Sequence, residues 1–163
     1  MATELTNMET KLGEVIGLAM AAQAATERVE KLTDDRQLKK QLQTMRKEAA
    51  QAEKDGTSIA GSFNGKKAKI LQEARTVKKK GATMMKTYLE RGSDELDGFE
   101  FLTMAEAGEV GHWSVLQELN KQARHPGVRD LVKEQLPIQR RHLKEVMAAS
   151  LSLAAKEDAN AAA

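Results

Sequence analysis

Apolar residues recur at three- and four-residue steps along most of the chain, and only two prolines, Pro126 and Pro137, interrupt it. That period belongs to helices that bury one face, so the fold class expected is all-α with no sheet. Leu5, Met8, Leu12, Ile16 and Ala19 mark the first such face within a segment from Glu4 to Leu32. Thr6 with Glu9 has the spacing of a capping box at its start. Leu38, Leu42, Met45, Ala49 and Ala52 mark the second, from Asp35 to about Glu53, with Asp34 and Gln37 at capping distance and Gly56 as the expected stop.

From Thr57 to Gly92 the pattern is broken. Ser58, Gly61, Ser62, Asn64 and Gly65 read as loop, followed by helical stretches over Ala68–Lys80 and Ala82–Glu90 that part near Gly81. Another long helix is expected from Asp94 to about Ala123, with Ser93 as its cap. Arg124-His125-Pro126-Gly127 then forms a turn, and a final helix follows from Val128 to about Ala155. One domain over 1–155 with a flexible tail over 156–163 is the resulting organisation.

Composition removes several functions. With no cysteine there is no disulfide scaffold, thiolate zinc site or Cys nucleophile. Aromatic residues are 3% of the chain, too few for a base-stacking platform, and a net charge of +2 argues against a strongly basic nucleic-acid binder. No apolar run approaches the roughly 20 residues of a membrane span. No basic and apolar leader is recognisable after Met1, so a cytoplasmic protein with no membrane association is expected. Phosphate loops, Gly-rich nucleotide fingerprints and Ser-His-Asp orders are absent. Lys66, Lys67, Lys69, Lys78, Lys79, Lys80 and Lys86 make the connection basic, and read as a solvated face.

The residues that carry chemistry are polar ones on faces that should be apolar. Taking Phe101, Leu102, Ala105, Leu116 and Leu119 as one face puts Glu109 and His112 inside it and Glu106 at its edge. On the last helix, Gln139 and His142 fall among Val128, Leu131, Val132, Leu136, Leu143 and Val146, and Gln135 joins them. Gln23 continues the first stripe after Ala19. Glu109-Val110-Gly111-His112 is a Glu-x-x-His step, and Gln139-Arg140-Arg141-His142 is the same step with Gln for Glu. Residues three apart share one side of a helix, so a carboxylate and an imidazole there can hold one metal. Glu109 and His142 stand equally far from the turn at His125-Pro126, as do His112 and Gln139, which predicts that all four meet at one level. A buried polar network without metal accommodates the same residues. Gly108 and Gly111 beside Glu109 suggest close helix approach or room for a ligand, and Met84 and Met85 read as core filler.

Two helix pairs joined by a long connection fit either a ferritin-like four-helix bundle with one helical crossover or a plain up-and-down bundle with an extra helix. From about Lys69 to Leu153 the chain resembles the YciE/YciF family of stress-associated bacterial bundles. The resemblance rests on Leu102-Thr103-Met104-Ala105-Glu106-Ala107-Gly108-Glu109, on Trp113-Ser114-Val115-Leu116, on Val132-Lys133-Glu134-Gln135-Leu136 and on the helix spacing between them. It implies a ferritin-like bundle, a homodimer and a carboxylate-rich centre suited to two iron ions. Glu106 and Glu109 match acidic positions of that centre. Glu48-Ala49-Ala50-Gln51 stands where Glu-x-x-His is implied, Pro137-Ile138-Gln139 stands where carboxylates are implied, and Gln23 stands for a first-helix Glu.

Neutral Gln cannot balance two iron ions, so the expectation is a degenerate centre holding at most one metal ion, iron or zinc, or none. Its ligands would come from Glu109, His112 and His142, with Glu106, Gln139, Gln23 and Glu48 around them. A metal-dependent oxidase or peroxidase, with Glu106 as ligand or proton acceptor, is one alternative. A helical adaptor whose polar centre only fixes register is another. Pro137 is expected to kink its helix.

Overall fold

The computed structural model describes residues 4–162, and all regular structure among them is helical. Five helices follow in order: α1 (Asn7–Glu30), α2 (Arg36–Ala60), α3 (Lys67–Tyr88), α4 (Glu95–Ala123) and α5 (Pro126–Ala154). Local chemistry sets most of their starts. The Thr6 hydroxyl accepts from the Glu9 backbone N–H while the Glu9 carboxylate accepts from the Thr6 N–H. Asp94 and Asp97 form the same reciprocal box on α4, so Asp94 rather than Ser93 is the cap. Asp35 rather than Asp34 caps α2, accepting from the N–H groups of Gln37 and Leu38. His125 caps α5, its Nδ1 accepting from the Val128 N–H, with Pro126 in the first turn, where a missing N–H costs nothing.

Two expected breaks do not occur. α2 runs through Gly56 to Ala60, and α3 runs through Gly81. Both glycines serve packing instead. A Cβ on Gly56 would lie 2.6 Å from Cγ1 of Ile16, and one on Gly81 would lie 2.7 Å from Cβ of Ala21. A glycine inside a strongly periodic helix thus marks where another helix comes close.

Antiparallel contacts close a ring of four helices. α1 meets α2 through Gln23 and Glu53 and through Glu30 and Arg46. It meets α4 through Glu14 and His112 and through Val29 and Gly98. α2 meets α5 through Glu48 and His142 and through Ile59 and Gly127. α4 meets α5 through Thr103 and Ser150, 3.2 Å apart, and through Asn120 and His125. The fifth helix, α3, lies outside the ring and parallel to α1. Ile70 and Glu73 cover Gly13, Ala74 and Val77 cover Gly17, and Gly81 reaches Ala21. α3 therefore carries the chain along α1, so that α4 begins beside Leu32, near the start of α2.

Apolar side chains form two clusters, one at each end of the ring. Leu12, Ile16, Trp113, Leu116, Val132 and Leu136 belong to the first. Val29, Leu42, Met45, Phe99, Leu102 and Val146 belong to the second. Each such side chain contributes about 1.5–3 kcal/mol by leaving water. The buried polar residues Glu106, Glu109, Gln139 and His142 fall between the two clusters on α4 and α5. No described helix is long and apolar enough to cross a membrane.

Candidate functional site

His142 is the centre of the polar layer. It is 2% exposed, which leaves no room for solvent to serve its ring. Its Nε2 lies 2.5 Å from Oε2 of Glu48 on α2, and its Nδ1 lies 3.6 Å from Oε2 of Glu106 on α4. One imidazole thus joins three helices, with a carboxylate facing each ring nitrogen. Burial alone would lower the His142 pKa, but the nearby Glu106 carboxylate, then the bond and charge of Glu48, outweigh it and raise it above the ordinary 6.5. Glu48 responds in the opposite sense. Burial pushes its carboxyl up, but His142 and Arg141, whose guanidinium donates at 2.6 Å, hold it below the ordinary value.

Glu109 is the uncompensated member. Complete burial, and then the neighbouring charge of Glu106, push its pKa well above 4.5. Oε2 of Glu106, Oε1 of Gln135 and Oε1 of Gln139 are buried and accept no hydrogen bond. Glu106 and Glu109 also line a cavity of about 190 Å³ between α1, α3 and α4, walled by Leu18, Ala22, Met84 and Phe101.

The expected meeting of Glu109, His112, Gln139 and His142 is therefore corrected in one respect. Glu109, Gln139 and His142 face the interior, whereas His112 stands at the edge, lining the same cavity as Glu106 and Glu109 but not reaching His142. It is about two-fifths exposed, and its Nδ1 lies 3.0 Å from Glu14 Oε2 and 3.2 Å from Lys11 Nζ. The reason lies in which residues define the α4 face. Trp113 is 1% exposed, and with Leu102, Glu106 and Asn120 it centres the buried arc. His112 sits about 80° from that centre, on the flank toward α1. A face drawn without Trp113 is rotated toward His112.

Gln23 is also outside the layer. Its amide donates to Glu53 Oε2 at 2.5 Å and to the Ala19 carbonyl at 3.2 Å, tying α1 to α2. Glu48, by contrast, belongs to the layer, on the flank of the Met45–Ala49–Ala52 stripe. Sequence patterning gave no sign of Glu53 or Arg141. Gly108 and Gly111 do not mark a close approach, since a Cβ on either would meet nothing within 4 Å. At Gly13 and Gly17, by contrast, α3 backbone oxygens would lie 2.7 and 2.3 Å from an added Cβ.

A dinuclear iron centre does not fit these residues. It needs neutral imidazoles with free lone pairs and about four carboxylates. Here His142 Nε2 is held by Glu48, His112 is on the flank, and Gln139 and Gln135 bring no charge. Among the described residues no three His, Asp or Glu side chains are grouped to hold a metal ion. Compared with known proteins, the chain matches no family model, no curated protein and no solved structure.

Proposed function

We propose that the chain is a ferritin-like bundle whose centre is neutralised from within and does not perform dinuclear iron chemistry. The observation that carries this reading is the pair of carboxylates on His142, Glu48 at Nε2 and Glu106 at Nδ1. An imidazolium there supplies the positive charge that a metal would otherwise bring. It also fixes the relative register of α2, α4 and α5, the role of a buried polar group in an otherwise apolar bundle. The ferritin-like assignment draws on the parallel course of α3 along α1, which separates two antiparallel pairs by a crossover.

A second reading keeps one metal ion. The donor-less oxygens of Glu106, Gln135 and Gln139 favour it, because a cation could take up all three once His142 releases its proton. Metal analysis after anaerobic loading with ferrous iron, and separately with zinc, tests both. A ratio of at most one ion per chain, unchanged by His112→Ala, is expected. Two tightly held irons per chain would refute the proposal.

A further inference from the structure

On the outer side of the α4–α5 hairpin, away from the polar layer, lies a groove of about 780 Å³. Five cationic side chains line it: Lys121 and Arg124 from the end of α4, and Arg129, Lys133 and Arg140 from α5. Pro137 is its exposed apolar residue, seated over Val132 and Leu136, which are buried in the core. Positive charge is concentrated here in a chain whose net charge is only +2. Lys121 pairs with Glu118 and Arg129 with Asp130, both on the open surface, where such pairs hold their cations weakly. Arg124, Lys133 and Arg140 have no ion pair among the described residues.

Two backbone features coincide with this groove. Arg124 is the one non-glycine residue with positive φ among those described, at φ 56 and ψ 31. Glycine or asparagine usually takes that place after a helix, because a Cβ is strained there. The strained residue is one of those that line the groove. Pro137 is the second feature. It stands inside α5 and has no N–H to give to the Lys133 carbonyl four residues earlier, and both residues line the groove. A helix interior and a helix cap thus each carry an unfavourable residue on one wall of one concavity, and such outliers cluster at ligand sites.

We propose that this groove binds a phosphorylated small molecule that carries a ring, of the nucleotide class. Arg124, Lys133 and Arg140 would take the phosphates, and Pro137 with the aliphatic stems beside it would take the ring. Its volume falls within the roughly 300–1,000 Å³ of ligand pockets, and guanidinium groups match phosphate oxygens in pairs. Nucleic acid is the less favoured occupant, since the chain's net charge is only +2.

Calorimetric titration of the full chain with ATP, with inorganic tripolyphosphate and with a single-stranded oligonucleotide tests this. ATP should bind saturably at one per chain, more tightly than tripolyphosphate, and more weakly as salt rises. Arg124→Gly and Arg140→Gln should each weaken ATP about tenfold or more. Arg124→Gly guards against a folding artefact, because glycine suits the left-handed cap and the melting temperature should not fall. Absence of saturable ATP binding would overturn the proposal. So would affinities unchanged in both variants, or tighter binding of the oligonucleotide than of ATP.

Discussion

His142 on α5 and Glu48 on α2 are joined inside the bundle by a 2.5 Å contact between Nε2 and Oε2. The pair closes the side of the helical ring opposite α1 and α4, and it aligns the two apolar clusters above and below it. The imidazole also faces Glu106, whose Oε2 lies 3.6 Å from Nδ1.

That pairing has an energetic signature. Glu48→Gln should lower the unfolding free energy by about 1–2 kcal/mol, the scale of a charge-assisted bond with partial solvent access. A double-mutant cycle of Glu48→Gln with His142→Gln should return a coupling of about 1 kcal/mol or more. Chemical denaturation measures both.

Stability should respond to pH at both ends. The Glu48 pKa is lowered by folding, so its contribution is present above 4.5 and fades as pH falls through the folded value. The His142 pKa is raised, so its contribution is full below 6.5 and fades as pH rises through the folded value. Glu109 acts in the same direction as His142, because folding raises its pKa well above 4.5 and ionising it inside the bundle is costly. Glu109→Gln should therefore stabilise the protein by about 1 kcal/mol at mildly alkaline pH and give no gain below about pH 4.5. Melting temperatures across pH for the two proteins supply the comparison.

Most of the architecture was legible in the sequence because buried helical faces repeat and caps are chemically distinctive. Thr6 with Glu9 located the start of α1, whereas α5 starts at Pro126, two residues before the expected Val128, because proline suits a first helical turn. The polar layer was legible in part. Glu106, Glu109, Gln139 and His142 interrupt apolar faces, and that interruption is itself the signal. His112 stands at the edge of the interior rather than within it, because the α4 face turns away from it once Trp113 is given its weight. Gly56 and Gly81 looked like stops because composition does not distinguish a glycine that ends a helix from one that admits a neighbour. Pairings such as Gln23–Glu53 depend on which helices are adjacent, which no periodicity within one helix encodes.

The glycines provide a direct packing test. Gly17→Ala would set a Cβ 2.3 Å from the Ala74 carbonyl oxygen, so α3 must shift away from α1. A loss of about 1–3 kcal/mol is expected. Gly108→Ala and Gly111→Ala face open space and should be neutral or stabilise by up to about 1 kcal/mol, since alanine favours the helix. Thermal unfolding of the three variants would show the contrast.

The protonation state of His142 can be read by long-range proton–nitrogen correlation spectroscopy of the nitrogen-labelled protein, with assignment by His142→Gln. At about pH 6.5, where an ordinary histidine is half protonated, both ring nitrogens of His142 should carry a proton in most molecules. The titration midpoint should lie above 6.5. A single neutral tautomer at that pH, with one nitrogen free to bind a metal, would contradict a centre neutralised by its own imidazolium.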